Sequence, residues 1–132
     1  MAIVNYNGKT VSDDNLKLVL TRIAARIGSV RVTSGDRNFV PPGGSRKSLH
    51  LASRAVDFYI PGVSLQSAYN KLLLNMSFIF DLNYKYEVIF HGSYTNTGGA
   101  HLHIGRYDSG SGVIFKMEGT TPETKGKYSI LV

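Results

Sequence analysis

The chain has 132 residues, 15 Lys and Arg against 9 Asp and Glu, a net charge of +6, four His and no Cys. That length suits one domain over residues 1–132. The lack of Cys excludes a disulfide framework, a Cys-ligated zinc finger, a thiolate nucleophile and an iron–sulfur cluster, so a metal would have to be held by His, Asp or Glu.

Ser12, Asp13 and Asp14 form a helix start, because a short polar side chain caps free amides and acids suit the positive end. Leu16, Val19, Leu20, Ile23 and Ile27 follow at helical spacing, with Gly28 as the stop. A short strand is expected over Val30–Thr33, then a Pro- and Gly-rich loop at Pro41–Ser45. Arg54–Ile60 reads as a strand with Val56, Phe58 and Ile60 towards the core and Ala55, Asp57 and Tyr59 on the opposite face. Ser64 caps a second helix over about Leu65–Asn75, with Ala68 and Leu72 inward. Later strands are expected at Tyr84–His91, His101–Tyr107 and Val113–Met117, with Asp108–Gly112 as a hairpin turn between the last two. The tail from Gly119 specifies little. Helices first and antiparallel strands later predict an α+β fold, an antiparallel sheet with helices packed on one side.

The first ten residues lack a basic region, an apolar run and a cleavage site, so no signal peptide is expected and synthesis is expected in a cytoplasm. Leu72–Leu74 and Met76–Phe80 are too short to span a bilayer, so no membrane insertion is expected. The basic residues are scattered, with only Arg46-Lys47 and Lys125/Lys127 close together. No nucleic-acid motif accompanies them, and the charge suits an anionic polymer such as bacterial cell wall equally well. Nothing demands an oligomer, and a monomer is expected.

Three clusters carry chemistry. Ser48-Leu-His50 precedes Asp57 by a spacing that places a His and an Asp around the entry to a strand; alone, such a pair is common. In Gly99-Ala-His101-Leu-His103-Ile-Gly105, period-two alternation puts both His on one face and Leu102 and Ile104 on the other. Both could bind one metal, or one could ligate while the other acts beside it. Thr33-Ser-Gly-Asp-Arg37-Asn38 follows a strand, and an Arg there can grip a carboxylate or steady an oxyanion.

In this order the three clusters resemble the zinc D-alanyl-D-alanine carboxypeptidases, a family grouped with lysostaphin-type peptidases and the hedgehog signalling domain. The likeness runs from about Val32 to Tyr107. It implies a zinc ion on His50, Asp57 and His103 with water in the fourth position, His101 as a catalytic or neighbouring His, and Arg37 as a substrate or oxyanion group. Ser48 would fix its loop by hydrogen bonding. The implied function is that of a hydrolase, a metallopeptidase acting on peptidoglycan stem peptides or cross-links: a D,D-carboxypeptidase, an endopeptidase or an L-alanyl-D-glutamate peptidase. A phage lysis enzyme (endolysin) or a cell-wall remodelling enzyme fits that activity, reaching the wall by release or by another export route.

Two positions depart from the family pattern. Relatives carry an acid three or six residues before the last zinc His, where this chain has Ala100 and Thr97. Ser53 stands where the pattern has Gly. His101 is therefore the first choice for general base, with Glu87 and His91, which share a strand face, as second choices. The alternative reading is a non-catalytic domain of the same fold, stabilised by zinc.

Overall fold

The computed structural model describes residues 2–37 and 48–131. The Pro- and Gly-rich loop, Asn38 and the Arg46-Lys47 pair fall outside the described residues.

Among the described residues, seven strands and three α-helices follow one another: β1 (Val4–Asn5), α1 (Asp14–Arg26), β2 (Val30–Ser34), β3 (Ala55–Tyr59), α2 (Leu65–Leu74), α3 (Met76–Ile79), β4 (Lys85–His91), β5 (His101–Arg106), β6 (Gly112–Glu118) and β7 (Tyr128–Ile130). The strands form a single sheet in the order β1-β2-β3-β5-β4-β6-β7. The α+β class holds, but the sheet is mixed: β1 runs parallel to β2 and β4 parallel to β6, while the other pairs are antiparallel.

The expected hairpin between β5 and β6 does not form. Both edges of β5 are already taken, by β3 and β4. The chain therefore passes over β4, and β6 joins that strand's free edge in parallel. A turn-rich sequence such as Asp108–Gly112 permits a reversal without dictating which edge the next strand finds.

Alternation along the strands separates two chemistries. Val56 and Phe58 on β3, Tyr86, Val88 and Phe90 on β4, Leu102 and Ile104 on β5, and Phe115 on β6 enter one buried cluster. Leu16, Leu20 and Ile23 of α1, Ala68, Tyr69 and Leu72 of α2, and Ile79 of α3 pack into the same cluster. Removing this apolar area from water is the main stabilisation, at roughly 25 cal/mol per Å². The opposite face carries Asp57, Glu87, His91, His101 and His103.

Asp13, rather than Ser12, caps α1: its carboxylate accepts from Leu16 N–H at 3.0 Å. The same carboxylate pairs with Arg106 at 2.6 Å and so ties the helix start to the end of β5. Ser12 instead donates its hydroxyl to Asp36. Ser64 caps α2 as expected, accepting from Ser67 N–H at 3.1 Å.

Candidate metal centre

β3 and β5 are antiparallel neighbours, with Asp57 opposite His103. That register places the acid and the imidazole side by side on the face away from the helices. His50 arrives from the turn before β3. Ser48 Oγ accepts from His50 N–H at 3.2 Å, so Ser48 does fix this loop. Among the described residues, His50, Asp57 and His103 form a buried group whose ligand atoms all lie within 4.8 Å of one another. The three residues are 2 %, 7 % and 6 % exposed, a degree of burial that ionisable groups tolerate only when paired or bound to a metal.

The outer hydrogen bonds decide which ring atoms face inward. His50 Nδ1–H donates to the Gly35 carbonyl at 2.8 Å. A carbonyl only accepts, so the neutral ring keeps its lone pair on Nε2, 3.0 Å from Asp57 Oδ1. His103 Nε2–H donates to Glu87 Oε2 at 2.8 Å, and its Nδ1 lies 2.9 Å from the same Asp57 oxygen. A bare nitrogen and a carboxylate oxygen repel at such distances unless a proton or a cation lies between them. The donor set therefore fits a metal ion: two imidazoles and one carboxylate converging from a rigid strand pair and a pinned turn.

Protonation tells the same story. Without a metal, a proton between the facing atoms takes its place: burial alone would raise the Asp57 pKa, but the contacts with His103 and His50 outweigh it and hold the carboxyl far below its usual range. Burial would lower that of His103, but Asp57 and Glu87 on its two nitrogens push the imidazole up to about 9. Burial likewise opposes ionisation of Glu87, yet the His103 contact brings it down to about 2.

Gly35 supports the site by its smallness. A Cβ there would sit 2.1 Å from the Thr10 carbonyl oxygen, so only Gly lets the chain pass close enough to offer its own carbonyl to His50. The pairing of β2 with β3 slips between Val32 and Ser34, a bulge that turns the end of β2 towards the site.

The other sequence-selected residues gather at the edge of the triad. His101 Nδ1–H donates to the Gly99 carbonyl at 2.7 Å, leaving Nε2 bare 3.6 Å from Asp57 Oδ2. A cleft of about 520 Å³ brings Arg37, Asp57 and His101 together, with Tyr59, Val63 and Leu65 among its walls. Arg37 Nη1 donates to Ser34 Oγ at 3.3 Å, while its Nε is a buried donor with no partner among the described residues. A guanidinium lining a cleft is suited to an anionic ligand.

His91 is buried behind His101, the two rings stacked at 4.6 Å between centroids. Its partner is one that sequence reasoning passed over. Glu118, at the end of β6, is 1 % exposed and accepts from His91 Nδ1–H at 2.5 Å. Thr95 Oγ1–H at 2.6 Å and Gly126 N–H at 2.8 Å complete its shell. The parallel register of β4 and β6 sets His91 opposite Glu118, and no local pattern signals such a pairing.

No family model, no curated protein and no solved structure matches this chain.

Proposed function

We propose that the chain is a zinc-dependent peptidase of peptidoglycan, hydrolysing stem-peptide or cross-link bonds, on the fold of the zinc D-alanyl-D-alanine carboxypeptidases. The observation that carries this reading is the convergence of His50, Asp57 and His103 beside a cleft that also holds His101 and Arg37. Two imidazoles and a carboxylate without sulfur suit zinc in an open, catalytic site. A zinc ion there supplies Lewis acidity and makes a water acidic enough to attack near neutral pH.

This chain's residues do the rest. His101, with its tautomer fixed by the Gly99 carbonyl, presents a bare Nε2 that takes the proton of the attacking water and returns it to the leaving amine. Arg37 receives negative charge, either a substrate carboxylate or the oxyanion that develops at the scissile carbonyl. The apolar walls Val63 and Leu65 admit small aliphatic side chains such as alanine. The net charge of +6 favours approach to an anionic wall.

The test is incubation of zinc-loaded protein with muropeptides and intact sacculi, reading new amines and soluble fragments. Turnover lost on chelation and restored by zinc is the expected result. Zinc-loaded protein that cleaves no peptidoglycan type would sink the enzyme reading. The second reading, a zinc-stabilised binding domain, draws on Ala100 and Thr97 where relatives carry an acid. It predicts that His101→Ala changes nothing, whereas the enzyme keeps its zinc and loses turnover.

A further inference from the structure

We infer that Glu87 is the positioning residue of the metal centre, holding His103 in its metal-binding orientation from the far side of the ring, and is not the general base. The inference rests on the metal-centre reading above.

Three observations on neighbouring strands carry it. The first is that Glu87 Oε2 meets His103 Nε2, the nitrogen opposite the one beside Asp57. An acid engaged there cannot take a proton from water on the inner side. The second is that the carboxylate is itself held. Tyr107 O–H donates to Oε1 at 2.8 Å, and Lys116 Nζ approaches that oxygen at 3.6 Å, so one oxygen is anchored while the other addresses the imidazole.

Gly105 provides the third. It sits directly opposite Glu87 and two residues beyond His103 on the same face. A Cβ on Gly105 would lie 3.2 Å from both Glu87 Oε2 and His103 Nε2, and 2.6 Å from Leu49 Cδ1. The missing side chain leaves the diagonal open for a glutamate on β4 to reach an imidazole on β5. A carboxylate on the outer nitrogen fixes the ring's tautomer and rotation and makes the inner nitrogen a stronger donor.

The test titrates zinc, then cobalt(II), into metal-free wild type, Glu87→Gln and Glu87→Ala, with folding checked by circular dichroism. Glu87→Gln keeps the shape and a hydrogen-bond acceptor but removes the charge, so it serves if Glu87→Ala fails to fold. Zinc affinity is expected to fall by about 10–100-fold in Glu87→Ala and by less in Glu87→Gln, the range that loss of an outer partner costs. The visible bands of the cobalt-loaded variants are expected to shift even at saturation, which a role in folding alone would not produce. A wild type that binds zinc beside a Glu87→Gln form of unchanged affinity and spectrum overturns this inference alone. A wild type that takes up no zinc overturns the metal centre, and this inference with it.

Discussion

Two buried histidine–carboxylate pairs lie on the same face of the sheet, and their electrostatics run in opposite directions. His103 is held between Asp57 and Glu87, one on each nitrogen, and its pKa rises to about 9 despite burial. His91 has Glu118 on one nitrogen only. There burial dominates, the charges of His101 and His103 add to it, and the pKa falls below the ordinary imidazole value. The lesson is that a carboxylate neighbour does not by itself make a cationic histidine; the count of partners against the cost of burial decides. His103 has the environment of a site built for a cation, whether proton or metal. His91 has that of a neutral ring fixed in place.

The strongest way to break this contrast is to remove the shared acid. Asp57→Ala is expected to lower zinc affinity by more than the roughly 100-fold upper limit for an outer partner, because a ligand itself is lost. A competition titration against a chelator reads it. Affinity within tenfold of wild type would show that Asp57 does not bind the metal.

Glu118→Ala comes next, as a loss of stability. It leaves His91, Thr95 and the Gly126 amide without their acceptor, and a buried donor left unpaired costs about 1–3 kcal/mol. Denaturant unfolding of the metal-free protein measures it. Burial opposes the charge on Glu118, but its hydrogen bonds hold its pKa below the ordinary carboxylate value of 4.5. Its contribution is therefore present above that value and fades as pH falls through the folded pKa. The variant is expected to lose less to acid than wild type does.

The opposite shifts of the two histidines make a pH prediction. His103 stabilises the metal-free fold below its unfolded pKa, and that contribution is lost as pH rises through about 9. His91 is buried neutral, so its contribution is lost as pH falls below the ordinary imidazole value. Zinc must displace the His103 proton, so its affinity is expected to rise about tenfold per pH unit up to about pH 9. Melting curves with and without zinc across pH 6–9 check both parts. An affinity that does not change with pH would contradict the first pair's assignment.

The smallest effect lies outside both pairs. Ser53 has φ = 57°, a left-handed conformation that costs a side-chain-bearing residue about 1–2 kcal/mol. Ser53→Gly removes that strain, partly offset by glycine's extra chain entropy, and is expected to gain about 1 kcal/mol in unfolding free energy.

Sequence reading was reliable where chemistry is local. The period-two strand around His101 and His103 and the cap at Ser64 follow from alternation and a short polar side chain, and the grouping of His50, Asp57 and His103 follows from the resemblance. It failed where pairing is remote. β1, α3 and β7 are too short to leave a period, and the parallel contact of β4 with β6 depends on which sheet edge is free. Glu118 is missed for that reason, and Glu87 stands among the second choices for base because a shared strand face says nothing of which nitrogen it meets.

The docking of β6 on the outer edge of β4 also divides the site by the strand pairings that hold it. The triad needs only the turn at His50 and the β3–β5 pairing. The His91–Glu118 contact needs a strand that docks later in the chain, on the outer side of β4. The metal ligands and the His91–Glu118 contact therefore depend on different strand pairings, linked through Lys116 of β6 beside Glu87.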